Sequence, residues 1–157
     1  MWTMVDINDL NYLKSLNLNW HAAYNHTNDE FYAMTNKSVE DNKGKFNITT
    51  QRLHTFLLNP NSDKSIYIDH INHNTLDNRR ENLRITTNKN NLTHRNGKNR
   101  NNKSGYRNVC LINGWYNVQL QLDGKNTCLA KFKDVDDAGA YAERLRRKYY
   151  GEFAGLG

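Results

Sequence analysis

Apolar residues Ile7, Leu10, Leu13 and Leu16 recur every three positions, the spacing of one face of a short helix, with Asn8 or Asp9 placed to cap it. Residues 19–25 and 30–35 alternate around the polar run 25–29 and predict a hairpin. Residues 45–49 then read as a strand, and residues 50–58 as a helix that stops before Asn59-Pro60-Asn61. A strand over 65–68 delivers the chain to Asp69 and His70. Residues 82–86 return as a strand, and Asn88 is placed to cap a short helix carrying Asn91. Beyond a polar stretch, residues 107–112, 115–122 and 126–132 predict three strands, joined through Asn113-Gly114 and Asp123-Gly124, which suit tight hairpin turns. A final helix is capped by Asp134, carries Val135, Ala138, Ala142, Leu145 and Tyr149 on its apolar face, and ends at Gly151. These elements predict an α+β fold in two small parts.

Composition limits what such a fold can bury. Of 157 residues, 37% are hydrophobic, below the roughly 45–50% of ordinary globular domains, so each core is small. No run approaches the roughly 18 apolar residues of a spanning helix, and the first residues lack the basic flank and apolar run of a signal peptide. The expectation is an intracellular, cytoplasmic protein with no membrane partner. Two cysteines, Cys110 and Cys128, exclude a disulfide framework and a four-cysteine zinc site.

The formal charge is +6, and its distribution matters more than its size. Residues 1–78 sum to –3 and residues 108–157 to +1, whereas residues 79–107 hold nine basic side chains against Glu81 alone, a net +8. Residues 93–105 are almost free of apolar groups and read as a flexible basic linker, since little buried surface offsets their ordering. Its place between two structured parts points to a polyanion such as double-stranded DNA.

Residues 69–92 carry the candidate chemistry. An acid and a histidine end one strand, a turn-rich loop follows, and a strand and short helix return, so polar groups can converge. Phosphodiester hydrolysis needs a base for water, a divalent cation at the phosphate and a group that holds the base in its working tautomer. His70 suits the base, because an ordinary imidazole is mostly neutral at neutral pH. Asp69 and Asn91 offer oxygen ligands for a hard cation such as Mg²⁺. Asn82 could meet the far imidazole nitrogen.

The strings Asp69-His70-Ile71-Asn72, Leu76-Asp77-Asn78-Arg79 and Asn82-Leu83-Arg84 strongly resemble the ββα-metal core of HNH homing endonucleases, in the subtype where asparagine replaces the last histidine. The preceding Leu53-His54-Thr55 resembles a Leu-His-Arg signature of that family with its arginine lost. The resemblance implies that His70 is the general base, that Asn82 orients it, and that Asp69 with Asn91 binds one Mg²⁺ (or Mn²⁺) per active site. Asn90 and His94 are alternatives to Asn91. His73 reads as a loop residue. Arg79, Arg80 and Arg84 are expected at phosphates, Arg79 with the alternative of holding the loop through Asp77.

Downstream, Ser104-Gly105-Tyr106-Arg107-Asn108-Val109, Leu129-Ala130-Lys131-Phe132 and residues 148–154 resemble the apetala-two type DNA-binding domain, with Asn108 and Ala130 in place of two family glycines. That resemblance implies a three-stranded sheet laid in the major groove, presenting Arg107, Cys110, Ile112, Gln119, Gln121, Asn126 and Cys128. The expected organisation is a nuclease domain over 1–94, a basic linker over 95–105 and a DNA-binding domain over 106–157. Expected DNA contacts are Arg79, Arg80, Arg84, Arg95, Lys98, Arg100, Lys103, Arg107, Gln119, Gln121 and Asn126. The leading expectation is a metal-dependent DNA endonuclease that cuts one strand or both, one site per chain favouring nicking by a monomer, and that uses no small-molecule cofactor. The alternative is a catalytically inactive, sequence-specific DNA-binding regulator. An RNA-binding accessory protein is disfavoured by the lack of an aromatic stacking surface.

Overall fold

A computed structural model describes residues 1–59, 63, 65–95, 97–99 and 101–156. Among them it forms three small antiparallel sheets and four helices, in two compact units, Met1–Asn88 and Lys89–Gly157.

In the first unit the leucine repeat forms α1 (Ile7–Ser15), preceded by Asp6 in extended conformation. The hairpin forms as β1 (Trp20–Asn25) and β2 (Glu30–Glu40), and β3 (Phe46–Arg52) joins the far side of β2. Pairing of Met34 with Arg52 carries β3 past the point where a helix was expected, so α2 (Leu53–Leu58) starts three residues late. Pro60 and Asn61, the expected stop, lie outside the described residues; Asn59 ends α2. β4 (Tyr67–His70) and β5 (Leu83–Thr86) pair antiparallel, Asp69 opposite Arg84 and His70 opposite Leu83. One core joins these elements: Leu13 of α1, Ala33 of β2, Leu53, Phe56 and Leu57 of α2, and Leu83 of β5. It therefore seats α2 and the β4–β5 pair together. The short α3 (Asn88–Thr93) spans the junction of the two units.

The second unit is a meander of β6 (Val109–Ile112), β7 (Trp115–Leu122) and β8 (Lys125–Phe132), backed by α4 (Val135–Tyr150). Asn113, Gly114, Asp123 and Gly124 all have positive φ, as two-residue hairpin turns of the right twist require. Asp134 caps α4 by accepting from the amides of Asp136 and Asp137. Val109, Val118, Ala138 and Ala142 are buried together, so small alanines bring the helix close to the sheet. At Gly139 an added methyl would overlap the Tyr106 ring, which explains a glycine in mid-helix. Asn108, standing where the resembled family has glycine, has φ 66°, a conformation asparagine tolerates better than most residues.

One expectation changes here. The expected flexible linker is in part hydrogen-bonded into the second unit: Arg107 donates to the carbonyls of Thr93 and Arg95, Gly97 N–H donates to the Leu156 carbonyl, and Asn102 and Ser104 both reach the Val109 carbonyl. Polar side chains, rather than apolar burial, hold this segment. Among the described residues no helix is long and apolar enough to cross a membrane.

Candidate functional site

His70 ends β4 and is 6% exposed. Its Nε2 lies 3.3 Å from Asn78 Oδ1, and its ring meets the edge of the buried His54 ring, with centroids 4.8 Å apart. Burial lowers its pKa below the ordinary value, against the raising influence of Asn78, Asp69 and Asp77. A neutral imidazole at neutral pH follows, which is the protonation state a base needs. His54, on α2, is pushed down to about 3 by burial, with the charges of His70 and Arg52 acting the same way.

The loop between β4 and β5 is built from its own side chains. Asn82 donates Nδ2–H to the Asp77 carbonyl at 2.8 Å and accepts from Asn72 N–H at 2.9 Å. Its backbone carbonyl accepts from Ile71 N–H. Expected at the imidazole, Asn82 instead clamps the loop that carries Asn78 to the ring. Asp77, 1% exposed, accepts from Asn72 Nδ2 and from both Nε and Nη2 of Arg79, and its pKa falls to about 2 chiefly through Arg79. His73 takes a left-handed turn conformation, φ 62°, as a loop residue.

The three arginines expected at phosphates have carboxylate partners within the unit. Arg79 pairs with Asp77 and Glu81, the alternative weighed for it from sequence. Arg80 grips Asp9 of α1 with two hydrogen bonds of 2.8 and 2.7 Å. Arg84 reaches Asp69 Oδ2 from Nε at 3.0 Å and from Nη2 at 2.8 Å, with both side chains largely buried. Much of the basic cluster in residues 79–84 is therefore neutralised internally. Arg84 thus holds the Asp69 oxygen that a divalent cation would need. A carboxylate is the donor type that Mg²⁺ or Mn²⁺ takes, alongside water and phosphate oxygens. Among the described residues no cluster of three His, Cys, Asp or Glu side chains offers another metal site.

Asn91, the expected partner of Asp69 at the metal, lies half-buried on α3 within the second unit. Of its alternatives, the Asn90 carbonyl accepts from Thr93 Oγ1 and His94 N–H, and the His94 ring is buried against Phe153.

In the same unit, Arg95, Lys103, Asn108, Cys110, Gln119 and Asn126 line an open groove of about 650 Å³ between the basic segment and the sheet. Gln119 Oε1 accepts from Asn126 Nδ2 at 2.9 Å, so these two amides stand together on its floor. Gln121 and Lys98 are exposed, and Arg100 lies outside the described residues. Arg107 departs from the expected DNA-facing set. It is 3% exposed, and its guanidinium donates to the carbonyls of Thr93, Arg95, Ala154 and Leu156, where burial and the Arg146 charge push its pKa down to about 10. The resemblance to the apetala-two domain placed it on the open face; it precedes β6 and turns inward to satisfy buried and half-buried carbonyls instead.

Asn78, Thr3 and His54 were not assigned to the site from sequence. Asn78 stands inside the Leu-Asp-Asn-Arg string and His54 inside Leu53-His54-Thr55, but neither string says which side chain will face His70. No family model, no curated protein and no solved structure matches the chain.

Proposed function

We propose that the protein is a metal-dependent endonuclease of double-stranded DNA, of the HNH homing type, that hydrolyses phosphodiester bonds and nicks as a monomer. The observation that carries this reading is His70. Its imidazole is neutral through burial, has Nε2 against a fixed amide oxygen, and follows Asp69, a carboxylate, at the end of the same strand. Such an imidazole can accept a proton from water. The water oxygen then bonds to phosphorus, the bond from phosphorus to the leaving oxygen breaks, and that oxygen takes a proton from solvent. One divalent cation, Mg²⁺ or Mn²⁺, taken up at the Asp69 carboxylate in place of Arg84, would supply charge neutralisation at the phosphate and the leaving oxygen. Asn82 maintains the loop. The groove of the second unit, with Arg95 and Lys103 at backbone phosphates and Gln119 and Asn126 at base edges, supports target placement, because amides read adenine through paired hydrogen bonds.

The competing reading, a DNA-binding regulator without catalysis, draws support from Arg84, whose guanidinium occupies the carboxylate the cation needs. Plasmid incubated with Mg²⁺ separates the two. The endonuclease nicks, stops when the cation is chelated, and loses nicking but not gel retardation in His70→Ala. Full activity of that variant, or retardation without nicking by the native chain in Mg²⁺ and Mn²⁺, would sink the assignment.

A further inference from the structure

We infer that Asn78, itself held by Thr3, is the positioning residue that makes Nδ1 the basic nitrogen of His70. The inference rests on the nuclease reading only for what that nitrogen then does. Thr3 Oγ1 lies 2.8 Å from the Leu76 carbonyl oxygen, which can only accept, so the hydroxyl proton is committed there. Toward its other neighbour, Asn78 at 2.9 Å, the hydroxyl must therefore accept, and the facing atom is the amide Nδ2. The same Nδ2 faces a second acceptor, the Thr75 carbonyl, at 3.4 Å. Both acceptors demand the amide nitrogen on this side, and Asn78 Oδ1 is left facing His70 Nε2. A carboxamide oxygen only accepts, so Nε2 carries the proton and the lone pair of the neutral ring sits on Nδ1.

Burial and backbone both hold the relay in place. Asn78 is 0% exposed. Thr3 is positioned by two backbone bonds of 2.8 Å, Met4 N–H to the Leu76 carbonyl and Asn78 N–H to the Met4 carbonyl, which tie the start of the chain to the site loop. When Nδ1 takes a proton, Nε2–H still donates to Asn78 Oδ1, and the imidazolium keeps its partner.

The test is the tautomer itself. With ¹⁵N-histidine in the native chain, long-range ¹H–¹⁵N correlation at alkaline pH is expected to show a protonated-type Nε2 and an unprotonated-type Nδ1 for His70, assigned by the peaks missing in His70→Gln. Asn78→Ala is expected to mix the tautomers and lower kcat for plasmid nicking about 10–100-fold, by analogy with the loss when a partner that orients a metal-bound histidine is removed, with KM for DNA unchanged. Asn78→Asp, which keeps an acceptor toward Nε2, retains the tautomer. Thr3→Val, at an exposed position, releases the amide and gives a partial mixture with a smaller fall in kcat. A native His70 with its proton on Nδ1, or an unchanged tautomer in Asn78→Ala, would overturn the inference. Should Asn78→Ala fail to fold, the native spectrum and Thr3→Val decide. These spectra need neither DNA nor metal, so failure of the relay shows in the spectrum with nicking intact, and failure of the nuclease reading shows in the plasmid assay with the tautomer intact.

Discussion

Replacing His54 by Phe should make the first unit more resistant to acid. His54 is 6% exposed, and its pKa falls from 6.5 to about 3, first through burial and then through the charges of His70 and Arg52. Between these values the unfolded chain holds a proton on His54 that the folded chain refuses. Stability from this group is therefore intact above pH 6.5 and is lost as pH falls through the window toward 3. At about pH 5 the linkage relation gives a loss of about 2 kcal/mol relative to neutral pH. Phenylalanine keeps a ring against His70 and cannot take the proton, so the variant should lose about 2 kcal/mol less than the native chain over the same change. His70 shifts in the same direction, and its share of the acid sensitivity remains in the variant. Urea unfolding followed by Trp20 fluorescence reports the first unit, since Trp20 packs edge-on against Phe56 at 5.5 Å. Trp2 and Trp115 are replaced by Phe to silence them. Equal acid losses in the native and His54→Phe proteins would refute the buried neutral histidine.

Arg84→Gln in chelator should cost the first unit about 3 kcal/mol, because Asp69 would be left largely buried without its ion pair; an unchanged urea midpoint would mean the pair contributes nothing. Arg107→Met should destabilise the second unit by about 2–3 kcal/mol, since four carbonyls, one buried and three half-buried, lose their donor together. Amide exchange at Gly97 should rise with it, and native-like protection there would show that the basic segment holds without Arg107.

What could be read from sequence was mostly local. The two-residue turns at Asn113-Gly114 and Asp123-Gly124, the Asp134 cap and the alanine stripe of α4 each depend on residues a few positions apart, and each formed as expected. The Asp69-His70 pair at a strand end was legible for the same reason. The ends of elements were less so: α2 began late because β3 was extended by pairing with β2, an influence from residues in another strand.

The role of each polar group at the site required partners distant in sequence. Sequence supplied Asn78 and Asn82, two asparagines in one motif, with nothing to rank them; Thr3, 75 residues away, turns Asn78 toward His70. Arg80 meets Asp9 across 71 positions and Arg107 meets Leu156 across 49, so one charge became an internal tie and the other a buried clamp. Composition and short-range pattern determined which segments form, where the basic residues lie and which histidine has an acid beside it. Only tertiary structure decided which of those charges are paired within the fold and which side chain faces His70 Nε2, because hydrogen-bond partners and ion pairs are assigned by proximity in space, and spacing along the chain does not encode it.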